Sequence, residues 1–381
     1  FPQKEKLPYG GPSCDFPTAI MLWLSILVAK NMANRLPENK FLAVDLFSGC
    51  GGMTLGLKQA GLSVIGAVEI DPLAVETYKA NHPEVRMWQN DIRMIEGSEM
   101  LCALKIRKGR LDLLAGCPPC QGFSSIRTKN GKRRIIDARN DLIFDFLRLV
   151  KALLPKTVMM ENVPALAANA RMIIFKREMR ALGYDLNGTP LILDAADYGV
   201  PQRRRRMILL GSRIGKIELP KAHDKKITVR ETIGNMPHPG RSGDALHDLK
   251  EKRQPRIVEM IRKIPRNGGS RTDLPKEFHL PCHIKLPDGF KDVYGRMSWD
   301  EASPTITGGC VSPSKGRFLH PSQNRSITLR EAALLQSFPK DYFFSLARGK
   351  NAVALMIGNA LPPAFIKRHA SAIREALIAA Q

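Results

Sequence analysis

From Phe41 onward the chain alternates short, largely apolar runs with amphipathic segments, and that alternation restricts it to very few architectures. The runs at 41–47 (FLAVDLF), 62–70 (LSVIGAVEI), 111–117 (LDLLAGC) and 157–162 (TVMMEN) read as buried strands, with a weaker one at 85–88. Helical apolar spacing fills the gaps at 53–60, after Asp71-Pro72, and at 142–154. Two further apolar runs, 191–193 and 206–211, complete the strand series. Strands with no polar face must be covered on both sides, and a helix between two strands brings the second in parallel to the first. The expected fold class is therefore α/β, a doubly wound and mostly parallel sheet.

Residues 214–324 break this pattern. They are rich in Pro, Gly, Lys and Arg, show neither period, and are expected to be mostly coil or short strands. Helical patterning returns at 328–336 and again from Ala352 to the end. The chain thus divides into an N-terminal extension of unassigned role (1–38), an α/β domain (39–213), a smaller irregular domain (214–324) and a C-terminal segment (325–381) that rejoins the first domain. The apolar stretch 20–29 is shorter than the roughly 20 residues a membrane crossing needs, and reads as a buried helix. No convincing cleavage pattern follows it. Because the first residue is Phe1 and not Met, a missing or processed N-terminus is expected.

Charge narrows the partner. Basic residues outnumber acidic ones by 59 to 36, a net charge of +23. Self-repulsion of that size is normally offset by a polyanion, and nucleic acid is favoured over a membrane surface. The seven cysteines are odd in number and scattered, so they form no disulfide framework and suit a reducing cytoplasm.

In a doubly wound sheet, ligands bind beyond the carboxyl ends of the strands. The first strand ends in Asp45-Leu46-Phe47-Ser48-Gly49-Cys50-Gly51-Gly52, whose glycines let backbone approach a ligand closely. Glu69 follows Asp45 by 24 residues, where an acid typically holds ribose hydroxyls. Asn90-Asp91-Ile92 places another acid where an adenine amino group could lie. This is a nucleoside pocket without a phosphate-binding signature, which favours S-adenosylmethionine over a dinucleotide. The fourth strand runs into Cys117-Pro118-Pro119-Cys120. No second Cys or His pair stands at zinc spacing, so no metal is expected, and no thioredoxin-like context surrounds a redox pair. A thiol after Pro-Pro at an exposed strand end reads as a nucleophile.

The segments DLFSGCGG (45–52), PPCQGFS (118–124), ENV (161–163), PQRRRR (201–206), RSITLREAALLQSFP (325–339) and GNALPP (358–363) resemble, in order and spacing, the motif series of the DNA cytosine-5 methyltransferases. The resemblance runs from about Phe41 to Ala370. It implies the fold of S-adenosylmethionine-dependent methyltransferases, with 214–324 as a target-recognition domain. It makes Cys120 the nucleophile: carbon 5 of cytosine attacks a methyl sulfonium only after a thiolate has added at C6. Glu161 becomes the acid at N3, which burial can hold protonated near neutrality. Arg204 and Arg206 fall on the family's paired arginines, with roles at the cytosine O2 and in fixing Cys120 or phosphate. Asn162 is expected to orient the loop.

For the donor, the resemblance implies Asp45, Phe47, Gly49, Gly51, Gly52, Glu69, Asp91, Ile92, Pro119 and Asn359. For duplex DNA, with the target base flipped out, it implies Ser124, Arg127, Lys132, Arg133 and Arg134 in a basic lid. Arg203, Arg205, Thr305, Thr307 and Gly308 complete the expected DNA contacts. Arg325, Arg330 and Glu331 are expected to organise the region and not to touch substrate. Two alternatives are disfavoured: relatives that methylate tRNA carry a Cys-Phe-Thr signature, which is absent here, and a catalytically silent DNA-binding protein of the same fold is argued against by intact Cys120, Glu161, Arg204 and Arg206. The expected setting is a monomer in the bacterial cytoplasm, within a restriction–modification system and with a cognate endonuclease acting on the same DNA site.

Overall fold

The computed structural model describes residues 41–119, 138–186, 188–285, 289 and 291–381. The N-terminal extension, the apolar stretch 20–29 and the basic lid, Cys120 included, lie outside the described residues.

Among the described residues, seven strands form one sheet: β1 (Leu42–Leu46), β2 (Ser63–Glu69), β3 (Arg86–Gln89), β4 (Leu113–Gly116), β5 (Thr157–Asn162), β6 (Leu191–Asp194) and β7 (Arg205–Ser212). Their order is β3-β2-β1-β4-β5-β7-β6: β2 and β3 are added on one side of β1 and β4 onward on the other, so the order of strand addition switches between β1 and β4. This is the fold of the S-adenosylmethionine-dependent methyltransferases. All pairings are parallel except those of β7, which is antiparallel to both neighbours. The reason is local. Only a short turn (Ala195–Tyr198) and a loop separate β6 from β7, too little for the crossover a parallel return requires.

Alternate residues of each strand face opposite layers. Ala43, Leu113, Met159 and Ile208 join one apolar cluster with helix α1 (Gly52–Gln59). Val44, Leu114, Met160 and Leu209 join a second, with α3 (Gly97–Leu104), α4 (Leu142–Leu153) and α5 (Ala170–Ala181). Between β2 and β3 lies α2 (Pro72–Asn81), started by the Asp71 carboxylate, which accepts from the Leu73 amide, and by Pro72 in the first turn. Helices α3 and α5 were not among the expected elements. In α5 the buried Met172, Phe175 and Met179 show the helical spacing, but Ile173 and Ile174 are exposed and blur it.

Among its described residues the irregular region contains three helices where mostly coil or short strands were expected: α6 (Val229–Ile233), α7 (Pro255–Lys263) and α8 (Pro281–Lys285). A small apolar cluster of Met260, Ile261, Ile264, Leu274, Tyr294 and Leu319 lies within it, and a buried cation stands beside that cluster. Arg296, fully buried, donates to the carbonyls of Ile264, His320, Gln323 and Ile261 and to the Asn324 side chain. One guanidinium thereby satisfies carbonyls of the last turn of α7 and of the loops that follow it.

The C-terminal segment forms α9 (Leu329–Leu335), α10 (Gly349–Asn359) and α11 (Pro363–Ala379). The helical tail expected from Ala352 is two helices, broken before Pro362-Pro363 because proline removes amide donors. Phe365, Ile366 and Ile373 of α11 cover α1 on the sheet. Thr328 and Glu331 cap α9 reciprocally, and Arg325 grips the same buried carboxylate with two 2.7 Å bonds. Arg330 reaches Asp244 and the Tyr342 carbonyl. All three residues thus make internal contacts, as expected. Replacing Arg325 with alanine leaves Glu331 buried without its cation, which should cost about 3–5 kcal/mol in a urea titration.

Candidate active site

Strand register builds the site. Leu46 pairs with Val68 and Gly116, and Gly116 pairs with Met160. The residues that follow, Phe47, Glu69, Cys117 and Glu161, therefore stand side by side along one edge of the sheet.

Glu161 is 1% exposed and sits among donors. The Cys117 thiol donates to its Oε2 at 2.8 Å, and Arg206 Nε lies 2.9 Å from Oε1. The arginine contact is an ion pair without hydrogen-bond alignment, so Oε1 keeps no directed donor. Burial, and then the Glu161 charge, push the Cys117 thiol well up, so the proton stays on sulfur. Asn162 donates to the Pro118 carbonyl at 2.8 Å and accepts from the Val163 amide, which ties β5 to the segment entering Cys120. Cys120 itself lies outside the described residues, as do Ser124, Arg127, Lys132, Arg133 and Arg134.

Along the β1 and β2 ends, Phe47 and Gly49 both take left-handed backbone (φ 60° and 54°). Gly49 donates its amide to Glu69 Oε2 at 2.8 Å, and a Cβ placed on Gly49 would meet nothing within 4 Å. Glu69 Oε1 accepts from the Ile70 and Asp71 amides. Three of its roughly four acceptor positions are thus filled. Gly51 and Gly52 are glycines for packing: a Cβ would stand 2.6 Å from the Tyr342 hydroxyl and 2.4 Å from the Leu361 carbonyl, respectively.

Asp45 is buried, with one oxygen accepting from Thr54 Oγ1 at 2.7 Å and the other unpartnered. Burial raises its pKa to about 7. Asp91 is engaged by Arg93 through two side-chain bonds and is held below the usual carboxylate range by them. Ile92 is buried, Pro119 half-buried, and Asn359 exposed at the end of α10. Sequence reasoning passed over Ile70 and Met94, large apolar side chains 60% and 68% exposed beside Glu69 and Ile92.

Arg204 and Arg206 part company. Arg206 meets Glu161, whereas Arg204, 3% exposed, donates to the carbonyls of Ile306 at 2.9 Å and Gly358 at 3.0 Å. Beside it, Gln202 donates to Gln336 and accepts from the Ile306 amide, each at 2.8 Å. Gln336 in turn donates to the Ile357 carbonyl. Gln202 stands in the PQRRRR motif and Gln336 in the RSITLREAALLQSFP motif, but sequence alone assigns neither glutamine a role of its own. Arg203 and Arg205 are exposed, and Arg203 pairs with Glu301 at 3.1 Å. Thr305 donates to the Arg203 carbonyl, and Thr307 accepts from the Gly309 amide at 3.4 Å. Gly308 packs on Leu355.

Two outcomes follow from this geometry. An alanine Cβ at Gly358 would lie 2.2 Å from the Gly308 nitrogen. Glycine-to-alanine within a helix ordinarily stabilises by about 1 kcal/mol. Here Gly358→Ala should instead lower stability by roughly 1–3 kcal/mol in chemical denaturation. The second concerns Asp45. Its folded pKa of about 7 exceeds the ordinary 3.8, so between these values the unfolded chain binds fewer protons. Its contribution is complete below pH 3.8 and is lost as pH rises through about 7. Melting temperatures across that window should fall more in the wild type than in Asp45→Asn.

Residues 41–375 match the family described as C-5 cytosine-specific DNA methylase. The type II methylase M.HgiDII of Herpetosiphon aurantiacus is 33% identical over 348 residues, covering 88% of this chain and 95% of that protein. The type II methyltransferase M1.HphI of Haemophilus parahaemolyticus is 36% identical, over 87% of this chain and 86% of its own length. Among solved structures, an E. coli prophage-encoded protein assigned as a DNA modification methyltransferase superposes with a TM-score of 0.65 at 25% identity. That likeness covers 89% of this chain and 100% of that one. The S. pombe Dnmt2 methyltransferase shares the fold, with a TM-score of 0.57 at 19% identity over 89% of this chain and 99% of its own. By sequence pattern over most of its length, and by a fold that agrees, the chain belongs to the C-5 cytosine-specific DNA methylases.

Proposed function

We propose that the chain transfers a methyl group from S-adenosylmethionine to carbon 5 of a cytosine flipped out of a specific duplex DNA sequence, through a covalent bond between Cys120 and C6. The observation that carries this reading is the buried Glu161, flanked by Arg206 and by the segment leading into Cys120. Addition of the Cys120 thiolate to C6 pushes electron density toward N3 and O2. Glu161, which must first take up a proton from solvent, meets N3 and gives it that proton as the thiolate adds, and the Arg206 charge stabilises the developing anion. The resulting enamine makes C5 nucleophilic; the C5–CH3 bond forms as the donor S–CH3 bond breaks. Loss of the C5 proton then expels the Cys120 thiolate and restores the ring.

The residues present fit the cofactor. Asp45 offers an unpartnered buried oxygen, Gly49 open space, and Glu69 one remaining acceptor position. Glu69 holds the ribose, and Ile92 with Asp91 the adenine, which shares Asp91 with the exposed Arg93. Phe47 and the Gly49, Gly51 and Gly52 turn take the amino-acid part, with Asp45, Pro119 and Asn359 around it. The cofactor supplies an electrophilic methyl group on a sulfonium; the chain supplies position and charge.

In this reading 39–213 is the catalytic domain, 214–324 the target-recognition domain and 325–381 the returning segment. Arg203, Arg205, Thr305, Thr307 and Gly308 face the DNA, with Ser124, Arg127, Lys132, Arg133 and Arg134 in the lid. Arg204 acts from beneath, as a clamp. The net charge of +23 supports a nucleic-acid partner, and the type II names of the bacterial relatives support a restriction–modification role. The reading places the chain in the bacterial cytoplasm as a monomer, beside a cognate endonuclease acting on the same site. Among the described residues, no helix is long and apolar enough to cross a membrane.

The test is incubation with methyl-labelled S-adenosylmethionine and unmethylated duplex DNA, with tRNA in parallel. Label should appear in 5-methyldeoxycytidine; label only in tRNA would redirect the reading to RNA. Cys120→Ala should abolish methylation and spare DNA affinity, and an active Cys120→Ala enzyme would overturn the covalent mechanism.

A further inference from the structure

Cys117 enters no step above, yet its thiol is the one directed hydrogen-bond donor that the described residues give the Glu161 side chain. The contact is built into the sheet. Gly116 and Met160 are in register, so the next residue of each strand stands beside the other. Pro118 and Pro119 follow, and a residue before proline is confined to extended backbone, which limits how the thiol turns away. The Asn162 bond to the Pro118 carbonyl holds the same segment from the β5 side.

A glutamate carboxyl rotates broadly about its last torsion. Arg206 supplies charge at Oε1 without alignment, so it does not set the carboxyl plane. The thiol at Oε2 does. We propose that Cys117 is a positioning residue for methyl transfer: its S–H fixes the plane of Glu161 and leaves Oε1 to meet the N3 edge of the cytosine. The inference rests on the reading of Glu161 as the group at N3, and the experiment separates the two.

Single-turnover methylation is measured over a range of DNA and S-adenosylmethionine concentrations up to saturation for Cys117→Ala, Cys117→Val, Cys117→Ser, Glu161→Gln and the Cys117→Ala/Glu161→Gln double variant, each checked by thermal melting. Alanine and valine should slow the methyl-transfer step by roughly ten- to a hundredfold, with KM for both substrates within about twofold. Serine, which keeps a donor, should recover most of the rate. The double variant should be no slower than Glu161→Gln alone. Wild-type rates in the alanine or valine variant beside a crippled Glu161→Gln would overturn the role of Cys117 only. A fully active Glu161→Gln would overturn the reading beneath it. A serine variant as slow as alanine, or an additive loss in the double, would reduce Cys117 to packing. The infrared S–H band of Cys117, identified by its loss in Cys117→Ser, gives a measure independent of how alanine and valine fold. It should move toward that of a free thiol in Glu161→Gln, and an unmoved band would also overturn the proposal.

Discussion

The buried guanidinium of Arg204 is the contact on which the assembly of this protein depends. Taking a cation out of water costs several kcal/mol, and here the compensation comes from two backbone carbonyls, Ile306 in the irregular region and Gly358 in α10. Neither carbonyl is near Arg204 in sequence. The guanidinium therefore tolerates burial only when the α/β domain, the 303–308 segment and the C-terminal helices are all in place. Gln202 and Gln336 extend the same logic, since each is fully buried and each bonds across elements. Leaving one such group unpaired costs about 1–3 kcal/mol, more than a typical satisfied bond contributes. The network is thus a device for specificity of assembly more than a source of net stability.

Close backbone approach makes the network possible. With no side chain at Gly358, α10 lies against the backbone of Thr307 and Gly308, and Gly308 admits Leu355. The segment expected to read DNA is consequently braced from behind by the helix whose last residue, Asn359, is expected at the cofactor. That brace gives a physical route by which the recognition segment and the sheet edge hold a fixed relation. At the edge itself charges are arranged differently: Glu161 is buried beside one arginine and one thiol, and Glu69 is committed mainly to backbone amides that shape the turn after β1.

Much of this was legible in the sequence. Strands buried on both faces announce themselves as unbroken apolar runs, and the positions of Glu69, Asp91, Cys117 and Glu161 at their ends required only that the sheet be doubly wound. The motif paired Arg204 with Arg206, and these two are the less exposed arginines of the run. It did not distinguish Arg204 from Arg206, because both point inward and what they meet comes from elsewhere in the chain. Helix α5 was missed because its exposed isoleucines mask the buried face. The helices of the irregular region were missed because five to nine residues give little period to read.

The sequence by itself determined the layered α/β architecture, the chemistry carried at the strand ends and the family, because these rest on local patterning and on motifs whose order along the chain is their meaning. Only the tertiary structure decided that Arg204 clamps backbone while Arg206 meets Glu161, that Gly51, Gly52 and Gly358 are required by neighbours far along the chain, and that Cys117 gives its proton to a hydrogen bond with Glu161. Each of these depends on which distant carbonyl, hydroxyl or carboxylate a side chain finds after the sheet has brought its strands into register, and no spacing along the chain encodes that distance.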